Sequence, residues 1–370
     1  MRVSITDVLV IGGGPAGLAA AIEARLAGFD ALVIERCRPP VDAACGEGLM
    51  PMGVERLRDL GVEIPELDRA VFRGIRYLDG RLTAESLFKR GVGLGIRRSI
   101  LHDALHRRAM EVGVEIRWGE RAVALGPRGL ETSRGLLSAR WMVAADGRLS
   151  MVRKWAGLEG SAPKRRRFGV RRHYAVAPWS DLVEVHWADS AEAYVTPIGP
   201  DTVGVALMSS ELPVDFDRLL QSFPDLRARL EGAESISRDR GAGPFGHRPL
   251  AVARGNLALL GDASGSLDPI TGEGLSIAFA QAHSLIRALE RGRIGEYAAA
   301  HRRIERAPRL ITGLLLGIER HGWLKRRVVQ TLASHPSLFT DLVDVAACGR
   351  LSSILPDFRA HHPATQSSRS

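Results

Sequence analysis

The chain has 370 residues, 45% of them hydrophobic, so it is long enough to bury a large core in one large domain or two intimate ones. Its formal charge of +9 comes with four lysines (Lys89, Lys154, Lys164, Lys325) and with arginine dispersed along the whole length; no basic stretch is interleaved with aromatics, which argues against nucleic acid as a partner. Three cysteines without metal-ligand spacing exclude a disulfide framework and a zinc site, and no run of about 18 apolar residues offers a spanning helix.

The first predicted element is a buried strand, Val8-Leu9-Val10-Ile11, where a secretory leader would otherwise stand; a soluble cytoplasmic protein is the expectation. It runs into Gly12-Gly13-Gly14-Pro15-Ala16-Gly17, then an Ala/Leu-rich helix over 18–27 that ends at Gly28. A second apolar strand, Ala31 to Ile34, stops at Glu35 and Arg36. Strand, glycine loop, helix, strand and acid in this order form a dinucleotide-binding unit. Gly12 allows the tight turn, Gly14 admits a pyrophosphate to the backbone, and Gly17 brings helix against strand. The helix N-terminus supplies free N–H groups to the pyrophosphate. Glu35 suits the two ribose hydroxyls and repels a 2′-phosphate.

Further on, Arg98 to Leu105 has the apolar spacing of a helix and leads to a strand at 114–117. Trp141 to Ala145 reads as a buried strand closed by Asp146-Gly147. The texture then becomes alternating, at 183–187, 193–196 and 202–207, which predicts an antiparallel sheet; 215–230 looks helical. Lys164 to Arg167, with Arg171 and Arg172, forms a basic run suited to an anionic cofactor or lipid surface. Buried-strand texture returns at Leu257 to Leu260 and feeds a helix over 274–289. The segment from Arg309 to Ile318 is apolar with basic flanks at Lys325 to Arg327, and is either a core helix or a peripheral membrane contact.

Leu259-Leu260-Gly261-Asp262 followed by Pro269-Ile270-Thr271-Gly272-Glu273-Gly274-Leu275 resembles the FAD-dependent oxidoreductases of the para-hydroxybenzoate hydroxylase superfamily. Ala145-Asp146-Gly147 with Ser150 and Arg153 resembles a further signature of that group, and Arg98 matches its nucleotide-contacting arginine, with Arg97 an equal candidate. The resemblance implies an α/β fold: a Rossmann-like FAD-binding domain with an inserted, mostly antiparallel β-sheet substrate domain. FAD-binding segments are expected at 1–70, 97–160 and 251–325, the substrate domain at 71–96 and 161–250, C-terminal helices at 326–355 and a disordered tail at 356–370. It also implies that FAD is held by Gly12, Gly14, Pro15, Ala16, Gly17, Glu35, Arg36, Cys45, Gly46, Arg98, Asp146, Gly147, Gly261, Asp262, Pro269, Gly272, Gly274 and Leu275. Read without the resemblance, Asp262 is a helix N-cap and Asp146 a turn-stabilising side chain.

Cys45-Gly46-Glu47-Gly48 looks most like the geranylgeranyl reductase branch, in which a cysteine lies beside the flavin; the alternative is an inert buried thiol. The branch's aromatic substrate-lining pattern is only partly met, because Glu192-Ala193-Tyr194-Val195-Thr196-Pro197 carries Tyr194 and Thr196 where Trp and Phe would stand. That departure favours a monooxygenase hydroxylating a hydrophobic aromatic or polyketide-like molecule, with NAD(P)H as electron donor. A C=C reductase of prenyl or other lipophilic substrates is the alternative, and a non-catalytic lipid-binding protein the third. Catalytic candidates are Cys45, Tyr194 and His173, with Tyr174 and His186 as further polar groups on the inserted sheet.

Overall fold

The computed structural model describes residues 4–80, 82–161, 166–319 and 321–348. The expected tail at 356–370 and the start of the basic run, Lys164 and Arg165, lie outside the described residues.

An eight-stranded sheet forms the nucleotide-binding half. The Ser4–Ile11 strand lies at its centre, parallel to Gly135–Ala144 on one side and to Ala31–Glu35 on the other; Leu257–Leu259 and Glu115–Trp118 extend it outward, also parallel. Val8, Leu9 and Val10 are fully buried, because helices cover one face and a second apolar cluster the other, which accounts for their continuous apolar run. The Pro15–Leu26 helix begins with proline at its first position and buries alanines almost all round. The Arg98–Glu111 and Gly274–Glu290 helices pack beside it.

Two elements differ from the pattern reading. The Gly135–Ala144 strand starts six residues before Trp141, because its first half pairs antiparallel with Gly129–Thr132 and stays partly exposed. The helical stretch at 215–230 is two short helices, Phe216–Leu220 and Pro224–Arg229, since Pro224 has no N–H to continue the first and instead opens the second.

A second eight-stranded sheet carries the alternating strands. Phe168–Ala175, Thr202–Ser209, Ala191–Gly199 and Val183–Trp187 are antiparallel in that spatial order; Gly74–Asp79 then joins Val183–Trp187 in parallel and pairs with Leu82–Leu87. The short helices at 216–229 cover one part of this sheet. The Gly322–Ser334 and Pro336–Cys348 helices cover another, packing Val329 and Phe339 on Tyr77 and Trp187. A small three-stranded sheet, Gly48–Leu49, Gly93–Ile96 and Arg69–Phe72, joins the Cys45 loop to this layer.

Candidate functional site

Three loops far apart in sequence meet above the central strand. A Cβ placed on Gly12, whose φ is +111°, falls 2.3 Å from the Ala145 carbonyl oxygen. One on Gly17 falls 1.9 Å from the Gly12 oxygen, and one on Gly261 falls 2.9 Å from the Ala16 Cβ. No side chain fits at these contacts, so glycine is what lets the loops close together. Between them and the second sheet lies a cavity of about 390 Å³. Its walls include Gly14, Pro15, Ala16, Cys45, Gly46, Arg98, Gly147, Asp262, Gly272, Gly274 and Leu275 from the predicted cofactor set.

Arg98 and Asp262 reach the cavity wall, whereas Glu35 and Asp146 do not line it. The Glu35 carboxylate accepts the Gly13 N–H at 2.8 Å and the Cys37 N–H at 2.9 Å, which fixes it beside the glycine loop with lone pairs left for hydroxyls. Arg98 begins its helix and faces the cavity; burial lowers its pKa, while Cys45, Asp262 and Glu47 oppose that shift. Its Nη1 is buried without a protein partner, whereas Arg97 does not line the cavity. Asp262 is open to the cavity yet ringed by protein, and burial raises its carboxyl against the pull of Arg148, Arg98 and Arg153. It sits in a short 3-10 turn and caps no helix. Asp146 instead accepts from Ser150 Oγ at 2.5 Å and from the Met151 and Val152 N–H groups, so its carboxylate caps the Met151–Trp155 helix and leaves Gly147 facing the cavity.

The Cys45 loop is tied down from several sides. Cys45 Sγ accepts the Glu47 N–H at 3.3 Å, and burial raises the thiol's pKa, keeping it a neutral thiol. Thr196 donates to the Gly46 carbonyl at 2.9 Å. Glu47 is buried and, among the described residues, is the non-glycine with left-handed backbone (φ 61°). Its Oε1 accepts the Arg98 N–H at 2.8 Å and its Oε2 lies 2.6 Å from His173 Nε2. His173 therefore stands behind this loop, linked also to Arg171 at 3.3 Å, and does not line the cavity. Tyr174 faces the hydrophobic cluster under the short helices, and His186 is held 3.2 Å from Glu184. Of the four sheet candidates, Tyr194 alone lines the cavity.

Past Arg166, which is exposed, the basic run is paired rather than presented as a free surface patch. Arg167 and Arg171 are buried and paired with Asp268 and Asp42, and Arg172 with Asp217 and Asp239. Glu47 and Glu192 are buried functional candidates that pattern reading missed; their only sequence signal is a charged residue inside a glycine loop or an otherwise apolar strand, whereas Arg167 reads only as part of the basic run.

The residues fit FAD. A bare helix N-terminus at Gly14, an unpartnered guanidinium nitrogen on Arg98 and open space beside Gly46, Gly147, Gly272 and Gly274 are what a flavin dinucleotide fills. Bound there, FAD supplies two-electron chemistry.

Comparison with known proteins agrees. A family model described as an FAD binding domain matches residues 5–227. Menaquinone reductase from Mycobacterium tuberculosis is 31% identical over 303 residues, covering 73% of this chain and 72% of that protein. Digeranylgeranylglycerophospholipid reductase 1 from Methanothermobacter thermautotrophicus is 28% identical over 303 residues, covering 74% of each. The crystal structure of a geranylgeranyl bacteriochlorophyll reductase-like protein from Thermoplasma acidophilum superposes with a TM-score of 0.70 at 20% identity, over 94% of this chain and 92% of that one. The chain belongs to the FAD-dependent oxidoreductases of the para-hydroxybenzoate hydroxylase superfamily, in the geranylgeranyl reductase-like branch.

Proposed function

We propose that this flavoprotein reduces a carbon–carbon double bond of a lipophilic, prenyl-type substrate. The observation that carries the reading is the composition of the cavity wall away from the nucleotide loops. There Phe72, Ile75, Val183 and Val185 are apolar, and two neutral protic groups, Cys45 and Tyr194, are exposed to the same space. Alkene reduction needs a hydride and a proton delivered to adjacent carbons, and a dry wall with a few protic groups suits that chemistry. Two relatives named as reductases of a menaquinone and of a prenylated glycerophospholipid support the same class.

Hydroxylation of an aromatic or polyketide-like molecule is the second reading. It draws on Tyr194 and Thr196, which put hydroxyls where the branch's pattern has large aromatics. NAD(P)H is the proposed electron donor for either reaction.

A lipid substrate also requires a route from a membrane. Among the described residues no helix is long and apolar enough to cross one. The long Ile294–Glu319 helix is divided: Leu315 packs beside Tyr77 and Trp187, whereas Leu310 and Leu314 are 55% and 57% exposed. Trp323, at the next helix start, is 65% exposed. Arg302, Arg303, Arg306, Arg326 and Arg327 flank them, exposed and without salt bridges among the described residues. We propose that this face rests on an anionic lipid surface, with the apolar side chains inserted and the arginines at the headgroups.

The function is tested by incubating flavin-loaded protein with NADPH or NADH and a polyprenyl substrate, with and without oxygen. A product gaining two hydrogens anaerobically is the expected result. A product gaining one oxygen, formed only aerobically, would overturn it in favour of the hydroxylase.

A further inference from the structure

A second buried polar cluster borders the cavity. Tyr194 Oη donates to Glu192 Oε2 at 2.8 Å and lies 3.4 Å from the Ile270 carbonyl. The same Glu192 oxygen accepts from Arg167 Nη2 at 2.8 Å, and Arg167 Nη1 donates to Asp268 Oδ1 at 2.7 Å. Glu192 is 1% exposed, Arg167 2% and Asp268 7%. Tyr194 and Asp268 line the cavity. The second Glu192 oxygen is buried without a hydrogen-bond partner.

One guanidinium thus faces two carboxylates inside the protein. With both ionised, the cluster carries a net negative charge in a medium that solvates it poorly. Retaining one proton on the carboxyls reduces that charge. The other titratable groups facing the cluster add no positive charge: Tyr77 from the Gly74–Asp79 strand, and Glu319 from the long helix, 3.9 Å from Arg167. Burial lifts the Asp268 carboxyl to about 6, with Arg167 opposing and Glu192 reinforcing the shift. The Tyr194 phenol is pushed further from ionisation, by burial first and then by Glu192, so it does not give up a proton unless another reaches it.

We propose that Tyr194 is the proton donor to substrate in this site, recharged by a proton that the Glu192 and Asp268 carboxyls beside Arg167 retain. The inference rests on the alkene-reduction reading. FAD, bound and reduced, would supply the hydride for one C–H bond. The Tyr194 O–H bond breaks as the second C–H bond forms at the adjacent carbon. As it breaks, the Tyr194 oxygen turns from donor to acceptor in its 2.8 Å contact with Glu192 and takes a proton from that carboxyl, and solvent refills the pair. Alkene, hydride and one proton balance to the saturated product. Arg167 is a positioning residue that holds the two carboxyls on one path. Cys45 Sγ accepts from the Glu47 backbone and, among the described residues, has no hydrogen bond from a carboxyl.

Two measurements test this on flavin-loaded protein. Infrared difference spectra between about pH 5 and about pH 8 should show a protonated-carboxyl band that is lost in Asp268→Asn and in Glu192→Gln. A band unchanged in both variants overturns the proton-holding pair. Pre-reduced enzyme is then mixed with a polyprenyl alcohol in detergent, and single-turnover product is followed by mass across the same pH range. Tyr194→Phe should slow product formation by about a hundredfold or more, the scale of a lost general acid, and should flatten the pH profile while flavin reduction by dithionite is retained. Wild-type rate and profile in Tyr194→Phe overturn the donor assignment. If wild-type enzyme saturates no alkene, the proposed reaction fails, and the infrared result judges the proton-holding pair independently.

Discussion

At the scale of single residues, burial rather than charge pairing sets the state of several acids near the cavity. Glu273 is 2% exposed, and burial raises its carboxyl to about 8 against an opposing hydrogen bond with the Thr271 side chain. It is therefore neutral at pH 7. An acid whose folded-state pKa exceeds its unfolded value stabilises the fold below the unfolded pKa, about 4.5, and loses that contribution as pH rises through about 8. Glu273→Gln should therefore flatten the decline in Tm between about pH 5 and about pH 9, measured by thermal melts of the flavin-loaded protein. Parallel declines in both proteins would show that the carboxyl is solvated after all. Glu184 behaves oppositely: burial would raise it, but His186, Trp179 and Arg76 hold it at about 2, so it remains ionised across the same range.

At the scale of elements, the site depends on backbones that approach too closely for side chains. A Cβ on Gly95 falls 1.6 Å from the Pro197 oxygen, where the Gly93–Ile96 strand passes the Ala191–Gly199 strand. Gly95 also pairs with Gly48, just past the Cys45 loop. Gly95→Ala should cost about 1–3 kcal/mol or more, as overpacking does, and should weaken flavin retention together with Tm. A variant that melts early but holds flavin normally would separate the strand contact from the loop. The same elements show how far pattern reading reached. The Val183–Trp187 strand and the start of the Arg98–Glu111 helix are legible, because period-two and helical apolar spacing are local signals. The half-exposed start of the Gly135–Ala144 strand is not, since its hydrogen-bonding partner rather than its composition makes it a strand.

At the scale of the whole molecule, the exposed face of Leu310, Leu314 and Trp323 should bind vesicles containing phosphatidylglycerol and release them as salt rises. Co-sedimentation of Trp323→Ala and Leu314→Glu should fall while their flavin spectra stay unchanged. Equal binding to neutral vesicles, or a salt-insensitive dimer in their place, would remove the lipid-surface assignment.

The amino-acid order alone determined the nucleotide-binding core and its cofactor. Glycines at 12, 14, 17 and 261, an acid ending the second strand and the apolar runs between them are short-range requirements of a backbone that must turn, approach a phosphate and pack. Tertiary structure decided which polar side chains share the cavity. Arg171 and His173 point one way from their strand and Tyr174 the other, which alternation predicts; which face turns inward depends on pairings with residues far away in sequence. Arg167 reads as part of a basic run until Glu192 and Asp268, distant along the chain, are brought against it, and burial turns three ordinary charges into one coupled group.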